Sequence, residues 1–360
     1  MGFSHSGRTP LALTLAVGLA TPLTAAGPAA ASPARPAAVA ASATVTGTLA
    51  TGLDSPWGLA FLPDRSAVVS SRDDGTIWRV PRGGGTPRRI GSVPGSVHDG
   101  EGGLLGLALH PRYPAQPWLY AYTTTASDNR IVRMRFDGSS LGTTQVVLRG
   151  IAKAGSHNGG RIAFGPDGML YAGTGDAGVP SRSQNRSSLN GKILRITPTG
   201  KVPAGNPFRG SLVWSLGHRN VQGLAWDSGG RMWASEFGQN TWDELNRIVK
   251  GRNYGWPTVE GKAGRGGFTD PVVQWSPAVA SPSGIAVAGG AVWVASLRGQ
   301  RLWRVPVGGG RAQAYFSNRY GRLRAVAVAA DGRLWLMTNN TDGRVEPQSG
   351  DDRLLRVKVS

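Results

Sequence analysis

From residue 44 onward, short apolar stretches alternate with polar turns in a phrase that recurs six times. The copies begin with GLAF at 58, GLAL at 106, RIAF at 161, GLAW at 223, GIAV at 284 and AVAV at 325. In each copy a turn with Pro-Asp, Asp-Gly or Gly-Gly leads into a second apolar stretch, and in most a third such as TIWRV follows. The pattern predicts six antiparallel β-meanders.

The spacing of the six copies indicates how the meanders are arranged. Their starts lie 41 to 62 residues apart, close to the ~40–50 residues of a propeller blade. The sequence therefore predicts an all-β fold, a six-bladed β-propeller of four-stranded antiparallel blades, over residues 44–360. We expect the ring to close by pairing of residues 44–51 with residues 353–359, because a closed ring leaves only short strand edges.

The N-terminal residues have a different composition. An apolar run from 11 to 20 is followed by small residues that fit a cleavage site near Ala31, which predicts a secretory signal peptide over residues 1–31. A retained membrane anchor is disfavoured by Pro22 and by the shortness of the run, so we expect a secreted protein without stable membrane insertion. The Pro/Ala-rich residues 32–43 resemble a flexible lead-in.

The chain is strongly basic, with 40 Lys and Arg against 21 Asp and Glu and a formal net charge of +19. This surplus favours anionic partners. The basic residues are spread singly along the chain and form no basic block or helix, so a nucleic-acid partner is not expected and a small acidic ligand is favoured. The chain has no Cys, which excludes disulfides and a thiol nucleophile.

A candidate catalytic pair flanks the third copy of the repeat. His157 precedes the strand RIAF, and Asp176 follows the strand MLYAGTG. In an antiparallel hairpin, the start of the first strand and the end of the second lie at the same edge of the sheet. His157 and Asp176 can therefore meet although 19 positions separate them, and a His oriented by a carboxylate is a general base near neutral pH.

The same rule brings further polar residues to one face of the ring. They are Glu101, Arg219, Asn220, Gly238, Gln239, Arg298, Arg322 and Arg324. Four Arg among them indicate a multiply anionic ligand held by charge-assisted hydrogen bonds. The sequence has no G-x-S-x-G nucleophile elbow and no Rossmann glycine motif, which disfavours acyl transfer and a nicotinamide cofactor.

Two acidic residues are candidate metal ligands. Asp243 and Glu244 fall in EFGQNTWDELNRIVKGRNYGWP, which we interpret as a loop rich in backbone carbonyls. Such an oxygen-rich setting suits Ca²⁺. A solvated acidic turn explains the same residues equally well, and the two interpretations stay open at this point.

Five segments together resemble one known family. They are EGGLLGLALHP (101–111), SHNGGRIAFGPDGMLYAGTGD (156–176), SLNGKILRITPTG (188–200), GHRNVQGLAWD (217–227) and DELNRIVKGRNYGWP (243–257). They are similar, in the same order, to the soluble sugar dehydrogenases that depend on pyrroloquinoline quinone (PQQ), the glucose/sorbosone dehydrogenase family, and most to its aldose sugar dehydrogenase branch. The resemblance covers residues 48–358.

The resemblance implies roles for the residues on this face. His157 would be the base that removes the proton of the sugar C1 hydroxyl while a hydride passes from C1 to PQQ, and Asp176 would orient it. Arg219 and Asn220 would lie over the quinone, with Arg219 stabilising charge on the cofactor. The carboxylates of PQQ would be bound by Arg298, Arg322 and Arg324.

The resemblance also implies two calcium ions and a substrate class. Cofactor Ca²⁺ would take the carbonyls of Gly238 and Gln239, and a structural Ca²⁺ would use Asp243, Glu244 and the carbonyl of Tyr254. The implied substrates are aldoses, oxidised to lactones with broad specificity, and the electrons would pass to an external acceptor. Whether the protein is a monomer or a dimer stays open.

The sequence departs from the family pattern at Glu101, and two functions other than a sugar dehydrogenase stay open. Glu101 stands where the glucose enzyme has Gln, which places an acid close to an anionic cofactor, so its assignment to the cofactor site is open. A non-catalytic propeller that binds a polysaccharide or a partner protein is one alternative. A Ca²⁺-dependent propeller lactonase is the other. His157 with Asp176 favours the enzyme, because a binding module needs no oriented base.

Overall fold

The computed structural model describes residues 1–3, 7, 9–14, 16, 18 and 42–360. The chain divides into two units, Met1–Ala40 and Ala41–Ser360. The predicted signal peptide, 1–31, and lead-in, 32–43, lie mostly outside the described residues, and the described residues of the first unit form no helix or strand. Within the described part of the chain, no helix has the length and apolar character needed to cross a membrane.

The second unit consists of antiparallel four-stranded sheets, each forming a blade, and in all blades but the last the four strands follow one another in sequence. Blade one contains β2 (Pro56–Phe61), β3 (Ala67–Ser71), β4 (Thr76–Val80) and β5 (Arg88–Ser92). Blade two contains β6 (Leu104–Leu109), β7 (Trp118–Thr124), β8 (Asn129–Phe136) and β9 (Leu141–Ile151). Blade three contains β10 (Ile162–Phe164), β11 (Leu170–Gly173), β12 (Lys192–Ile196) and β13 (Val213–Leu216), with a short 3₁₀ helix at Pro180–Ser183.

The remaining sheets complete the ring. Blade four contains β14 (Val221–Trp226), β15 (Met232–Glu236), β16 (Asp243–Ile248) and β17 (Val273–Trp275). Blade five contains β18 (Pro282–Ala288), β19 (Ala291–Ser296), β20 (Arg301–Pro306) and β21 (Gln313–Tyr315). Blade six contains β22 (Leu323–Val328), β23 (Leu334–Thr338), β24 (Leu354–Val359) and β1 (Ala43–Ala50). The prediction of six four-stranded antiparallel blades is confirmed.

The last blade is built from both ends of the second unit. Strand β1 pairs antiparallel with β24, in a register that runs from Ala43 opposite Val359 to Ala50 opposite Leu354. Beyond the pair, the side-chain oxygens of Ser42 and Ser360 lie 2.7 Å apart. The predicted closure of the ring is confirmed, because the N-terminal strand supplies the outer strand that the last three strands lack.

Hydrophobic clusters lie between neighbouring blades. Within residues 42–360 there is one buried cluster at each of the six blade interfaces. Trp233 and Trp293 are almost fully buried in two of them. Each blade therefore covers both apolar faces of its sheet with its neighbours, which explains why so many strands are apolar at consecutive positions.

The first strand of every blade lies innermost, and small residues allow the strands to approach one another closely. A Cβ on Gly58 would lie 2.6 Å from the carbonyl oxygen of Leu105, and one on Gly106 would lie 2.3 Å from that of Gly160. The glycine that opens the repeated phrase is thus a packing requirement. We call the face where the innermost strands begin the upper face, and the face where they end the lower face.

Candidate active site

A cavity of about 580 Å³ opens on the upper face and is lined by residues from all six blades. It brings together most of the residues predicted from the sequence: Glu101, His157, Arg219, Gly238, Gln239, Asp243, Arg298, Arg322 and Arg324. Further lining residues that the sequence analysis did not identify include Trp57, Arg72, Gln222 and Arg344. The hairpin rule therefore placed distant residues at one site correctly.

His157 and Asp176 form the predicted pair. The Nδ1 atom of His157 lies 2.8 Å from Oδ1 of Asp176. His157 has a φ of +56°, an uncommon conformation for a residue other than glycine, and its backbone N–H donates to Oε2 of Glu101 at 2.9 Å. The site thus fixes both the backbone and the ring of His157.

The second ring nitrogen of His157 shows which proton the imidazole carries. Its Nε2 lies 2.9 Å from Nη2 of Arg219, and a guanidinium can only donate hydrogen bonds. Nε2 must therefore accept, which leaves Nδ1 to carry the proton and donate it to Asp176. His157 is thus held as a neutral imidazole, with the lone pair of Nε2 beside Arg219 at the cavity.

Asp176 lies behind the cavity wall and is completely buried. Burial alone would raise the pKa of its carboxyl, but hydrogen bonds from His157, Trp256 and Gly178 outweigh burial and hold the pKa below its usual value. The indole Nε1 of Trp256 donates to Oδ2 at 2.9 Å, and the N–H of Gly178 donates to Oδ1 at the same distance. The carboxylate therefore stays ionised and fixed in orientation.

Arg219 is positioned by three neighbours. Its backbone N–H donates to Oε2 of Glu236 at 2.8 Å, and its Nη1 donates to the carbonyl oxygen of Gly238. Its guanidinium carbon lies 5.4 Å from the ring centre of Trp256, a cation–π contact. Burial lowers the pKa of Arg219, but a guanidinium remains protonated at physiological pH, so it is a fixed positive charge beside His157.

A buried network holds Glu236 beneath Arg219. Oε1 of Glu236 lies 2.8 Å from Nδ1 of His218 and accepts from Nδ2 of Asn246 at 2.9 Å. The other ring nitrogen of His218 lies 2.8 Å from the hydroxyl of Ser215. Since all four side chains are buried, the network is a rigid support for the strand end that carries Arg219.

The opposite side of the cavity is cationic. Arg322 donates from Nη2 to Asp342 at 2.9 Å, whereas Nη2 of Arg324 is 3.9 Å from the same carboxylate. The Nε atom of Arg324 is buried without any hydrogen-bond partner in the described chain, and burial lowers the pKa of Arg324 to about 9. The exposed side chain of Arg298 makes no hydrogen bond or ion pair to described residues. This wall therefore has positive charge available for an anionic ligand.

Glu101 and two residues missed by the sequence analysis complete the wall. Oε1 of Glu101 lies 3.4 Å from Nη2 of Arg344, which compensates the acid at this position. Arg72 directly follows β3, as Asp176 follows the end of β11, so the hairpin rule could have identified it. Arg344 could not be identified in this way, because it lies in the long segment after β23 and no strand boundary marks it.

Asn220 lies behind the cavity wall. It is fully buried, and its Oδ1 accepts from the backbone N–H of Gly159 at 2.9 Å. Its Nδ2 is buried without a partner in the described chain. The structure thus shows Asn220 fixing the Gly159 segment next to His157 and keeps one amide donor available.

The interpretation of Asp243 and Glu244 as loop residues is wrong. Both belong to β16, where Asp243 pairs with Trp275 and Glu244 with Gln274. Successive side chains of a strand point to opposite faces, so the two carboxylates do not converge on one ion. The stretch DELNR lacks the alternation of apolar and polar residues that predicts a strand, so its sequence resembles a loop. It is nevertheless a strand, paired on one side with β15 and on the other with β17.

The two carboxylates accordingly have different surroundings. Asp243 lines the main cavity, accepting from the N–H of Gly238 at 2.9 Å and of Ser281 at 2.6 Å, and burial raises its pKa to about 6. Glu244 lies with Tyr254 at a separate void of about 10 Å³. Burial and the nearby Glu236 raise the pKa of Glu244 to about 8. Among the described residues, no three His, Asp or Glu side chains form a group that could hold a metal.

The comparisons with known proteins agree with this geometry. The sequence model of Glucose / Sorbosone dehydrogenase matches residues 53–347. The PQQ-bound form of aldose sugar dehydrogenase from Streptomyces coelicolor has 58% identity and a TM-score of 0.87, over 89% of this chain and 98% of that one. Aldose sugar dehydrogenase YliI of Escherichia coli is 30% identical over 81% of this chain and 89% of its own length. Quinoprotein glucose dehydrogenase B of Acinetobacter calcoaceticus is 34% identical over 60% of this chain and 53% of its own length.

Proposed function

This chain belongs to the glucose/sorbosone dehydrogenase family, and from that premise we propose that it is a PQQ- and Ca²⁺-dependent aldose sugar dehydrogenase. It oxidises the C1 hydroxyl of an aldose to a lactone and passes the electrons to an external acceptor. The observation that carries the proposal is the neutral His157, whose Nε2 lone pair lies at the wall of a cationic cavity. A base of this kind next to an anion-binding wall suits removal of a hydroxyl proton.

The residues of the cavity fit PQQ, a planar quinone with three carboxylates. Arg298 has no ion pair to described residues, and Arg324 has a buried N–H without a partner. Carboxylates pair well with guanidinium groups in a partly desolvated site. Arg298, Arg322 and Arg324 would hold the carboxylates, and bound PQQ would supply the acceptor for the hydride from C1.

The role of His157 follows from its present partners. The C1 hydroxyl of the sugar would take the place of Arg219 Nη2 at Nε2 and give its proton to His157. Asp176 stabilises the imidazolium that forms, since its buried carboxylate already accepts from Nδ1. Arg219 would then no longer donate to Nε2 of His157, and its Nη2 would face negative charge that develops in the cavity.

The donor set near Gly238 fits Ca²⁺. The carbonyl oxygen of Gly238 accepts a hydrogen bond from the cationic side chain of Arg219. The carboxylate of Asp243 accepts from the N–H of Gly238. Carbonyl and carboxylate oxygens are the ligands that Ca²⁺ prefers. Gly238 and Gln239 would hold the ion by their carbonyls, and it would act as a Lewis acid. For a structural ion, Glu244 and the carbonyl of Tyr254 remain candidates, without Asp243.

The deciding experiment uses the purified full-length or secreted protein. PQQ and Ca²⁺ are added, the quinone absorbance is followed on addition of glucose or another aldose, and dye reduction is assayed. We expect sugar-dependent bleaching of bound PQQ with turnover. A folded protein that binds no PQQ at micromolar concentrations would contradict the proposal and favour the binding propeller, whereas hydrolysis of a lactone without PQQ would favour the lactonase.

Export of the protein is a separate part of the proposal. It is supported by the apolar run at 11–20 and by the small residues before Ala31. Mass spectrometry of the protein from the culture medium should give a mature N-terminus close to residue 32. Recovery of the chain only from the cytosol, with its first residues intact, would contradict export and leave the enzymatic proposal untouched.

A further inference from the structure

The lower face carries two cavities that share Trp226. One is the axial mouth, about 590 Å³ in volume, where the six innermost strands end. The other is a groove of about 400 Å³ that contains Tyr171, Trp214, Trp226, Met232, Arg247 and Val249. We call the second cavity the lower-face groove. Neither cavity contains a residue of the active-site cavity, so both are distinct from the proposed catalytic site.

The lower-face groove has an aromatic wall. The ring of Tyr171 stands edge-on to Trp214 and to Trp226, with centroid distances of 5.7 and 5.1 Å. Both indoles are half-buried, and neither indole N–H donates a hydrogen bond within the described chain. A half-buried indole offers an apolar surface together with a polar donor. A pyranose ring matches both features, because its C–H face can pack on the apolar surface and the hydroxyls at its edge can accept from the indole N–H.

The groove also has an unpaired cation. Arg247 is exposed, and its side chain makes no hydrogen bond or ion pair to described residues; its backbone carbonyl accepts from Tyr254. The side chain of Arg231 is 45% exposed although it pairs with Asp227. An exposed guanidinium without a partner is free for bidentate pairing with a carboxylate. The groove is also lined by Asp167, which is paired with Arg195 at 2.9 Å, so a sugar with an acid group meets the unpaired charge of Arg247.

A second unpaired cation lies at the floor of the axial mouth. Arg161 opens the third copy of the repeated phrase, where the other five copies have Gly or Ala. Its Nε donates to the carbonyl of Gln222 at 2.9 Å, its guanidinium stacks on Trp57 at 4.2 Å, and its Nη2 is buried with no partner in the described chain. An uncompensated buried cation favours an anion, so Trp226 lies between two positions for negative charge.

We propose that the lower-face groove binds a segment of an acidic polysaccharide. One sugar ring packs on Trp226, beside Trp214, whose ring already carries the guanidinium of Arg195 at 5.3 Å. Carboxylates of the polysaccharide pair with Arg247 and, at the axial mouth, with Arg161. A polymer fits better than a free sugar acid, because the two cations lie in different cavities and the chain as a whole has a charge of +19. Single-stranded nucleic acid is also a polyanion that stacks on aromatic rings, so it serves as a comparison polymer in the test.

The test measures binding of purified protein to polygalacturonate, with neutral dextran and single-stranded DNA as comparison polymers, at about 0.15 M salt. Val249→Glu places a negative charge in the groove at a position that is 41% exposed, so the fold is retained. Its matched control is Val146→Glu in β9, at a position that is 52% exposed. We expect Val249→Glu to weaken binding about tenfold or more, since like charges repel across the contact, and Val146→Glu to bind as the unmodified protein does.

Two more variants separate the parts of the site. Trp226→Leu should weaken binding about tenfold. Arg247→Gln should weaken it about threefold and reduce its salt dependence, unlike Arg149→Gln at an exposed position in blade two. Equal binding by Val249→Glu and Val146→Glu, absence of binding, dextran binding of equal strength, or tighter binding of DNA would each overturn the proposal. Sugar oxidation is assayed on the same variants and should be unchanged, which separates this proposal from the catalytic one.

Discussion

Trp256 connects the two sides of the proposed catalytic site. Its indole N–H donates to Asp176, and the face of its ring supports the guanidinium of Arg219. The loop that carries it is fixed in turn, because Nε2 of Gln184 donates to the carbonyl of Trp256 at 2.6 Å. Through this one side chain, the carboxylate that orients His157 and the cation that contacts it are held in register.

The first prediction concerns His157 itself. His157→Ala removes the proposed base and should lower turnover with aldoses by about 10²–10⁴-fold. PQQ affinity should stay within a factor of about two, because His157 is not among the residues proposed to hold the carboxylates. Steady-state dye reduction and PQQ titration measure the two quantities. Unchanged turnover would remove His157 as the base.

Trp256 can be tested by separating its two contacts. Trp256→Phe keeps a ring beside Arg219 but removes the donor to Asp176, and a hydrogen bond to a buried charge contributes about 1.5–3 kcal/mol. We expect the turnover of Trp256→Phe to fall about tenfold with KM nearly constant. The turnover of Trp256→Ala, which also lacks the ring, should fall further. If Trp256→Phe is fully active while Trp256→Ala is not, only the ring matters.

Asp176 should affect stability as well as turnover. Its pKa is lower in the fold than in the unfolded chain, so its contribution is present above the unfolded value near 3.8 and disappears as the pH falls through the folded value. In Asp176→Asn an NH₂ group would face the donor of either His157 or Trp256. We expect the variant to be less stable by about 1–3 kcal/mol at pH 7 and the difference to shrink below about pH 4. Urea unfolding at both pH values measures it, and a constant difference would contradict this account.

At the scale of elements, the outer strand of blade six has the largest consequence for stability. Strand β1 covers the interface between blades six and one with Leu49 and Ala50, both buried. A chain that begins at Ser42 should therefore unfold at the same temperature as the full-length chain, whereas one that begins at Thr51 should unfold about 10 °C lower or fail to fold. Thermal unfolding of the two truncated chains measures this. Equal unfolding temperatures would show that β1 is dispensable.

The sequence identified the inner part of each blade better than the outer part. The innermost and second strands repeat an apolar phrase with a clear turn, and so they could be located, as could the closing pair of β1 and β24. The outer strands have no such signal: β21 has only three residues, and β9 is largely exposed along its eleven. Their place is set by pairing with the strand inside them, which no local pattern records.

The same distinction applies to the site. Residues next to strand boundaries, such as His157 and Asp176, could be predicted because the hairpin fixes where they lie. Trp256 and Arg344 come from long segments between strands, and their contacts depend on how those segments pack. The prediction for Asp243 and Glu244 was wrong for a different reason: they belong to a strand, but the stretch around them is as polar as a loop.

At the scale of the whole molecule, the net positive charge includes six Arg that line the active-site cavity. Arg72 and Arg322 pair with carboxylates, while Arg298 has no such partner among the described residues. Citrate, a tricarboxylate, should therefore bind the cavity and raise the unfolding temperature by about 3–6 °C at saturating concentration. Acetate at equal ionic strength is the control, and Arg298→Gln should reduce the shift. An equal effect of acetate would indicate general screening instead.

The pairing of Ser42 with Ser360 has a consequence for the order of the blades. The backbone N–H of Ser360 donates to the carbonyl of Ser42 at 3.1 Å, so a linker of a few residues could join the two ends. New ends could then be opened between Gly289 and Gly290, two exposed turn residues on the lower face. Such a circular permutant should keep the cavity, because every blade contributes to it and none has to be made first. Because the ring of blades is closed, the same propeller can form from a chain whose termini lie in a different blade.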